Sequence, residues 1–360
     1  MAKLPNTSWR IIGAVTILTI PLFALSLEIN KDDPATSASE ILPKAQHSLL
    51  LDIAKTDTGF VAVGERGHII TSVDGDNWQQ SKTPTRSTLT TVSAQGANVW
   101  AAGHDGVILH SADSGKTWQS QRVQPWSADS QEITNGSPIL DTIFVDEKTG
   151  YAVGAYSLLL KTQDGGVNWQ ALSVSGSRSV SAAEDLVASS SGAFSDSDLQ
   201  LAAESDPHLN AITRTESGLL IVMGERGAGF RSSDEGASWQ KIRLPYGGSM
   251  FGLISLGAEK ILAFGLRGNV FESADAGNSW TKIESSTDIS LQGGTVAEDG
   301  TVVLVGSNGS LYVRAPNQKA FSMRHVQIST GQGPAFSAII PNNTGYLLTS
   351  DLGHITYRMK

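Results

Sequence analysis

The fold is decided by one stretch of the sequence, GHDGVILHSADSGKTW at residues 103–118. It joins a glycine-rich turn, an apolar strand and a polar turn that ends in tryptophan. The whole pattern or its front half recurs six more times, starting at Gly64, Gly154, Gly224, Gly265, Gly306 and Asp351. A period of about 40 residues built from short strands is typical of a β-propeller, in which each repeat forms one blade. We therefore predict an all-β, seven-bladed β-propeller of four-stranded antiparallel blades.

The polar turn, Ser/Thr-x-Asp-x-Gly-x-x-Trp, has a definite chemistry. Its Asp carboxylate is expected to accept backbone N–H groups across the turn, its Gly supplies a positive φ, and its hydroxyl holds the strand end. The Trp ring then buries a large apolar surface against the blade. Five copies assign a structural role to the pairs Asp74 and Trp78, Asp113 and Trp118, Asp164 and Trp169, Asp234 and Trp239, and Asp275 and Trp280.

The two ends of the chain predict how the ring closes. The last repeat stops at Lys360 without an outer strand, whereas residues 37–43 precede the first inner strand and end in Leu-Pro, like the outer strand at 239–245. An open edge would leave backbone groups unpaired. We predict that residues 37–43 supply the fourth strand of blade 7, so that the propeller spans 39–360 with a Ser-rich loop inserted at 173–207.

The N-terminal 27 residues predict export. Lys3 and Arg10 precede an uncharged stretch at 11–27 that contains Pro21. This length suits a signal peptide or a membrane anchor, and the two interpretations stay open. In both cases the basic residues stay inside and the propeller is exported. We expect a periplasmic protein, soluble or anchored to the inner membrane, with residues 28–38 as a polar tether.

The composition of the chain argues against several classes of partner and site. The net charge of −9 argues against nucleic acid or anionic lipid as a partner of the whole surface. The chain has no cysteine, which excludes disulfides and thiol catalysis. Its seven histidines lack ligand spacing, although His68 and His354 share one slot after the turn glycine. We predict no metal and no cofactor.

One combination of residues resembles a known family. Val63-Gly64-Glu65-Arg66-Gly67, an apolar strand, Ser72-x-Asp74 and Trp78 resemble the bacterial neuraminidase (Asp-box) repeat. More closely, they resemble the propellers of the photosystem II assembly/stability factor family, including its non-photosynthetic bacterial relatives. The resemblance covers roughly residues 40–358. It implies a propeller that is not an enzyme and that binds membrane proteins, partly through an arginine patch.

A glycosidase is the third interpretation, because Asp boxes also occur in sialidases. A sialidase-like site, as that resemblance requires, needs an arginine triad, a Tyr–Glu nucleophile pair and an acidic proton donor at the centre of the propeller. Arg66, Arg226 and Arg267 are aligned in the repeats, but they lie on turns between the second and third strands. We predict that the protein is not an enzyme.

The same arginines predict a binding face. The turn between strands two and three lies on the same face as the connection to the next blade. Arg66, Arg226 and Arg267 therefore share a face with the two longest connections, at 121–138 with Trp126 and at 173–207. Long loops on a rigid scaffold usually carry function. We predict that these arginines and Trp126 bind the partner.

The predicted function is that of a non-catalytic assembly or accessory factor for an integral membrane protein complex. The resemblance makes a resistance-nodulation-division type transporter the first candidate partner. Photosystem II assembly is the alternative.

Overall fold

The computed structural model describes residues 33–125, 136–174, 207–326, 331 and 333–358. These residues form 27 β-strands and five short 3-10 helices. The strands are arranged in seven antiparallel sheets, each one blade. The predicted seven-bladed all-β propeller is confirmed. The described residues contain no helix long and apolar enough to cross a membrane.

The first three blades are regular four-stranded meanders. Blade 1 contains β1 (Leu50–Thr56), β2 (Gly59–Gly64), β3 (Ile69–Ser72) and β4 (Gln79–Ser81). Blade 2 contains β5 (Leu89–Gln95), β6 (Asn98–Gly103), β7 (Ile108–Ser111) and β8 (Gln119–Arg122). Blade 3 contains β9 (Ile139–Phe144), β10 (Gly150–Gly154), β11 (Leu159–Thr162) and β12 (Gln170–Ala171).

The remaining blades repeat this order. Blade 4 contains β13 (Leu209–Arg214), β14 (Leu220–Gly224), β15 (Ala228–Ser232) and β16 (Gln240–Arg243). Blade 5 contains β17 (Met250–Ser255), β18 (Ile261–Gly265), β19 (Val270–Ser273) and β20 (Thr281–Ile283). Blade 6 contains β21 (Leu291–Val296), β22 (Val302–Gly306), β23 (Ser310–Arg314) and β24 (Ser322–His325), and blade 7 contains β25 (Phe336–Asn342), β26 (Gly345–Ser350) and β27 (Gly353–Arg358).

The core lies between the blades. The second strand of a blade, such as β14 or β18, is buried along its whole length because neighbouring blades pack on both of its faces. This explains why these strands read as continuous apolar runs rather than as alternating ones. The first strands of successive blades pack side by side around the axis, and β25 packs against β1. The Ser337 hydroxyl of blade 7 donates to the Leu50 carbonyl of blade 1 at 2.7 Å, which joins the two ends of the ring.

The predicted closing strand is wrong. In the described residues blade 7 has three strands, and residues 37–43 form no strand. They belong to a segment, here called the N-terminal strap (residues 33–42), that follows the outer edge of blade 1. The Ser39 N–H donates to the Thr83 carbonyl at 2.9 Å, and the Arg86 N–H donates to the Pro34 carbonyl at 2.7 Å.

The physical reason lies in the residues after the strap. A 3-10 helix, Ala45–His47, turns the chain beside β27, where a fourth strand would begin. There the Gln46 carbonyl lies 3.3 Å from Nδ1 of His354. Outer strands of this propeller are short and polar, as the sequence Gln-Gln-Ser of β4 illustrates. A Leu-Pro ending therefore does not specify which blade edge the segment follows.

Three predicted segments lie outside the described residues: the N-terminal stretch 1–27, Trp126 and most of the Ser-rich loop at 173–207.

Candidate partner-binding face

Arg66, Arg226 and Arg267 occupy the tight turn between the second and third strands of blades 1, 4 and 5. Each sits in a one-turn 3-10 helix, Glu65–Gly67, Glu225–Gly227 and Leu266–Gly268, with φ of 54°, 56° and 56°. This left-handed conformation is costly for residues other than Gly, Asn and Asp. All three side chains are exposed. The turn slot itself was predicted from the repeat, and the structure places the arginines there.

The same turn slot carries different side chains in other blades. Blade 2 has Asp105 at φ 55°, blade 3 has Tyr156 at φ 55°, and blade 6 has Asn308 at φ 60°. The backbone conformation therefore repeats while the side chain varies. The blade order puts Arg226 and Arg267 on neighbouring blades and Arg66 across the axis.

These turns pack against the connections between blades. A Cβ added to Gly67, whose φ is 68°, would lie 2.1 Å from the Thr85 carbonyl oxygen, so this position requires glycine. In blade 4 the Gly227 N–H donates to the Gly248 carbonyl at 3.0 Å. The arginine turns and the inter-blade connections thus lie on one face, here called the turn face.

The charge of the turn face is mixed. Glu65 and Glu225 directly precede Arg66 and Arg226. The Glu225 carboxylate lies 3.8 Å from Nδ1 of His208. Within the described part of the chain, none of the three turn arginines forms a salt bridge. Their guanidinium groups are therefore exposed and lack a carboxylate partner in this part of the chain.

A pocket of about 380 Å³ opens beside Arg66, between the N-terminal strap and blade 1. Its lining is formed by Pro34, Glu40, Leu42, Arg66, His68 and Arg86. Sequence reasoning found only Arg66 here. No sequence signal links the strap to blade 1, because the hydrogen bonds that join them come from side chains and irregular backbone.

The opposite face carries the Asp boxes, where most of the box side chains are hydrogen-bonded within their turns, although Nε1 of Trp169 is buried without a partner. In blade 2, Asp113 accepts the backbone N–H groups of Lys116 and Thr117 at 3.0 and 2.9 Å. The Ser111 hydroxyl donates to the same carboxylate at 2.7 Å, and Trp118 Nε1 donates to the Gly115 carbonyl at 2.9 Å. The hydrogen bonds expected from the sequence are present.

These bonds favour the charged carboxylate. In blade 4 the hydroxyl of Ser238, followed by its backbone N–H, lowers the pKa of Asp234 to about 2. In blade 5 the hydroxyl and N–H of Ser279 lower the pKa of Asp275 to about 2 in the same way.

The boxes also join each blade to the one before it. Ser81 of blade 1 donates to the Gly115 carbonyl at 2.7 Å, and Tyr151 of blade 3 donates to the Glu235 carbonyl at 2.7 Å. Trp100 Nε1 of blade 2 donates to the Gly165 carbonyl at 2.9 Å. The side chains of this face thus stabilise the contacts between neighbouring blades.

Sequence reasoning missed two carboxylates on the inner strands. Asp52 of β1 accepts the Val92 N–H of blade 2 at 2.8 Å, and Asp141 of β9 accepts the Ile212 N–H of blade 4 at 2.8 Å. Between them, Thr91 accepts the Thr142 N–H at 3.2 Å. Each residue lies two positions after the buried first residue of an inner strand, and that shared slot was the available signal. The three side chains link blades 1 to 4 near the axis.

Burial raises the pKa of both carboxyls. For Asp52 it outweighs the hydrogen bonds from Val92, Ile53 and Thr91 and brings the pKa to about 6. For Asp141 burial is again the largest cause, and the neighbouring Asp52 charge adds to it, so the pKa is about 7. The blades beyond carry Ala211, Gly252, Gly293 and Ala338 in this slot. No set of His, Asp or Glu side chains in the described residues is placed to hold a metal ion.

Comparison with known families gives one match that covers most of the chain. The family model described as photosynthesis system II assembly factor YCF48 matches residues 35–125 and 119–330. No curated protein gives a significant match.

Solved structures share the fold at low identity. The structure described as YCF48 bound to D1 peptide has 15% identity, covers 88% of this chain and 94% of its own, and gives a TM-score of 0.62. YCF48 from Cyanidioschyzon merolae has 18% identity, with coverage of 88% and 97% and a TM-score of 0.62. The WD40 propeller domain of Doa1 has 8% identity, with coverage of 89% and 94% and a TM-score of 0.60.

Proposed function

This chain belongs to the family of the photosynthesis system II assembly factor YCF48, and from that premise we propose that it is a non-catalytic assembly factor whose turn face binds a membrane protein. The observation that carries the proposal is the repeated arginine turn: Arg66, Arg226 and Arg267 are exposed, share one backbone conformation and have no ion-pair partner within the described residues. A solved structure of YCF48 with a bound D1 peptide supports a polypeptide segment as the ligand.

The chemistry of the turn face suits an acidic segment. A guanidinium group binds a carboxylate through two parallel N–H···O bonds, which gives both attraction and orientation. The protein is acidic overall, so exposed arginines on one face favour encounter with an oppositely charged partner in that orientation. Trp126, which lies between β8 and β9 in the sequence, is proposed as an apolar anchor.

The partner is proposed to be an integral membrane protein complex. A resistance-nodulation-division type transporter is the first candidate, and it is based on the family resemblance alone. Photosystem II is the alternative, and the description of the matched family names it directly. We further propose that residues 1–27 export the propeller to the periplasm, where it is soluble or anchored to the inner membrane.

The decisive experiment is recovery of the partner from native membranes. The variant Arg66→Glu/Arg226→Glu/Arg267→Glu is expected to recover much less partner than the wild type. The wild type itself should lose partner as ionic strength rises, because exposed charge contacts are screened by salt. The recovered proteins are identified by mass spectrometry, which separates a transporter from photosystem subunits.

A matched control reverses three exposed lysines on the opposite face, in the variant Lys55→Glu/Lys116→Glu/Lys148→Glu. It has the same change in net charge and is expected to recover as much partner as the wild type. Equal losses in both variants would mean that net charge, not the turn face, drives binding. Hydrolysis of a sialic-acid substrate that is lost in the arginine variant would contradict the non-catalytic assignment.

A further inference from the structure

The N-terminal strap forms the outer wall of the pocket beside Arg66, and hydrogen bonds hold the strap in place. Pro34 of the N-terminal strap accepts hydrogen bonds from the Arg86 N–H and from the Thr85 hydroxyl at 2.7 and 3.1 Å. Further along, the Leu42 N–H donates to Oε1 of Gln80 at 2.8 Å, and Nε2 of Gln80 donates back to the Glu40 carbonyl at 2.8 Å. The strap is therefore fixed at both ends of the pocket, so the cavity is part of the folded protein.

Two polar atoms of the pocket residues are buried without a partner. Nδ1 of His68 and Nε of Arg86 have no hydrogen bond in the described structure. The His68 side chain is 1% exposed, so water does not solvate it freely. A buried polar group left unpaired destabilises the fold, and a charged one does so more strongly. Both residues line the same pocket, and two unpaired polar groups there indicate that a ligand supplies the missing hydrogen-bond partners.

The charges of the lining select the ligand. Arg66 and Arg86 contribute two positive charges, and Glu40 on the rim contributes one negative charge. Burial, as the largest cause, lowers the pKa of His68; nearby Glu65 opposes this and Arg66 adds to it. At neutral pH this imidazole is therefore uncharged and has one N–H to donate. The net charge of about one positive unit suits a monoanion better than a phosphate dianion or a cation.

We propose that this pocket binds a single carboxylate, held by the guanidinium groups of Arg86 and Arg66 beside the ring of His68. Leu42 and Pro34 supply apolar surface for the carbon chain that bears the carboxylate. When that carboxylate belongs to a polypeptide, the inference rests on the proposed function and names the group by which the partner is held. A free small carboxylate would use the same donors.

The test is a titration of the full chain with acetate, followed through the ring ¹⁵N resonances of His68. A saturable shift is expected in the wild type, and Arg86→Gln is expected to weaken acetate binding about tenfold, because a charge-assisted hydrogen bond is lost. Lys116→Gln on the opposite face is the matched control and should bind as the wild type does. Arg66→Gln changes an exposed turn residue, so this second variant is expected to fold. Its loss of acetate affinity should be smaller than that of Arg86→Gln.

Three results would overturn the proposal. One is a shift that chloride reproduces at equal ionic strength. Another is tighter binding of inorganic phosphate than of acetate. The third is acetate affinity that is unchanged in both arginine variants while their melting temperatures match that of the wild type.

Two peptides identify the source of the carboxylate. An amidated, N-acetylated Gly-Gly-Glu-Gly-Gly peptide is compared with its Gln counterpart. Tighter binding of the Glu peptide than of acetate assigns the site to a polypeptide, whereas binding of acetate alone assigns it to a small carboxylate. If acetate binds but no membrane partner is recovered, the proposed function is wrong and the carboxylate site stands. If a partner is recovered but acetate does not bind, only the carboxylate site is wrong.

Discussion

The two faces of this propeller use the same repeat in opposite ways. On the Asp-box face the side chains repeat, and the carboxylates have repeating partners, as in the bonds that Asp113 and Asp275 accept within their turns. On the turn face the backbone repeats with φ near 55°, while the side chain changes from Arg66 to Asp105 to Tyr156. Side chains that repeat together with their contacts serve the fold. Side chains that vary on a constant backbone are not required by the turn, and the three arginines among them are exposed.

The largest expected effect is on the free energy of unfolding, and it tests whether the Asp-box side chains stabilise the fold. Trp118 is 8% exposed and bonds to the Gly115 carbonyl, whereas Trp239 is only partly buried. Trp118→Ala is expected to lower the free energy of unfolding by about 3–5 kcal/mol, the usual cost of removing a buried aromatic ring. Trp239→Ala should cost less. Chemical denaturation measures both, and equal losses would show that burial does not set the cost.

The next effect tests the carboxylate of the same turn. Asp113→Ala removes acceptors for two backbone N–H groups and two hydroxyls, and about 1–2 kcal/mol of stability should be lost after allowing for its partial exposure. Lys116→Ala is the control, because Lys116 contributes only its backbone N–H to this network. A loss of stability as large in the control would contradict the assigned role of the carboxylate.

A third effect concerns the carboxyl groups on the inner strands. Their pKa values are raised, whereas those of the Asp-box carboxylates are lowered. Burial raises the pKa of Asp141 to about 7, so the folded protein binds a proton that the unfolded chain releases near pH 4. The stability from this group is present below about pH 4 and is lost as pH rises through about 7. Asp141→Asn imitates the protonated form and should reduce this loss by about 1–2 kcal/mol.

The measurement is the free energy of unfolding at pH 4, 5.5 and 7.5 in the wild type and Asp141→Asn. His68, His110 and His354 have lowered pKa values and shift stability in the opposite direction over part of this range. They are present in both proteins, so the difference between the two profiles reports Asp141 together with its coupling to Asp52. Parallel profiles would show that this carboxyl is charged in the folded protein throughout.

The smallest expected effect on stability concerns an arginine of the turn face. Arg226→Gly should change stability by less than about 0.5 kcal/mol, because relief of the left-handed backbone and the added freedom of the unfolded chain nearly cancel. Partner recovery should nevertheless fall. Arg243→Gly, at an exposed position in β16, is the control: it should destabilise the protein by about 0.5–1 kcal/mol without changing recovery. A large destabilisation by Arg226→Gly would mean that the arginine has a structural role.

Much of this arrangement could be predicted from the repeat. Gly103, Asp113 and Trp118 and their copies predicted the blade count, the turns and the face on which Arg66 lies, because these depend on local backbone chemistry. The fourth strand of blade 7 was predicted wrongly. Residues 37–43 have the composition of an outer strand, but strand pairing at an edge depends on where the preceding and following segments pack.

The blades, their order and the turn slots follow from the repeat alone, since each depends on hydrogen bonds and φ values within a few residues of one another. The contacts between distant segments follow from the packing of the whole ring. This packing placed the N-terminal strap on blade 1, left Nδ1 of His68 and Nε of Arg86 without hydrogen-bond partners, and brought Asp52 and Asp141 into one hydrogen-bonded line near the axis. Burial and charge proximity are properties of the packed ring, and no repeat in the sequence encodes them.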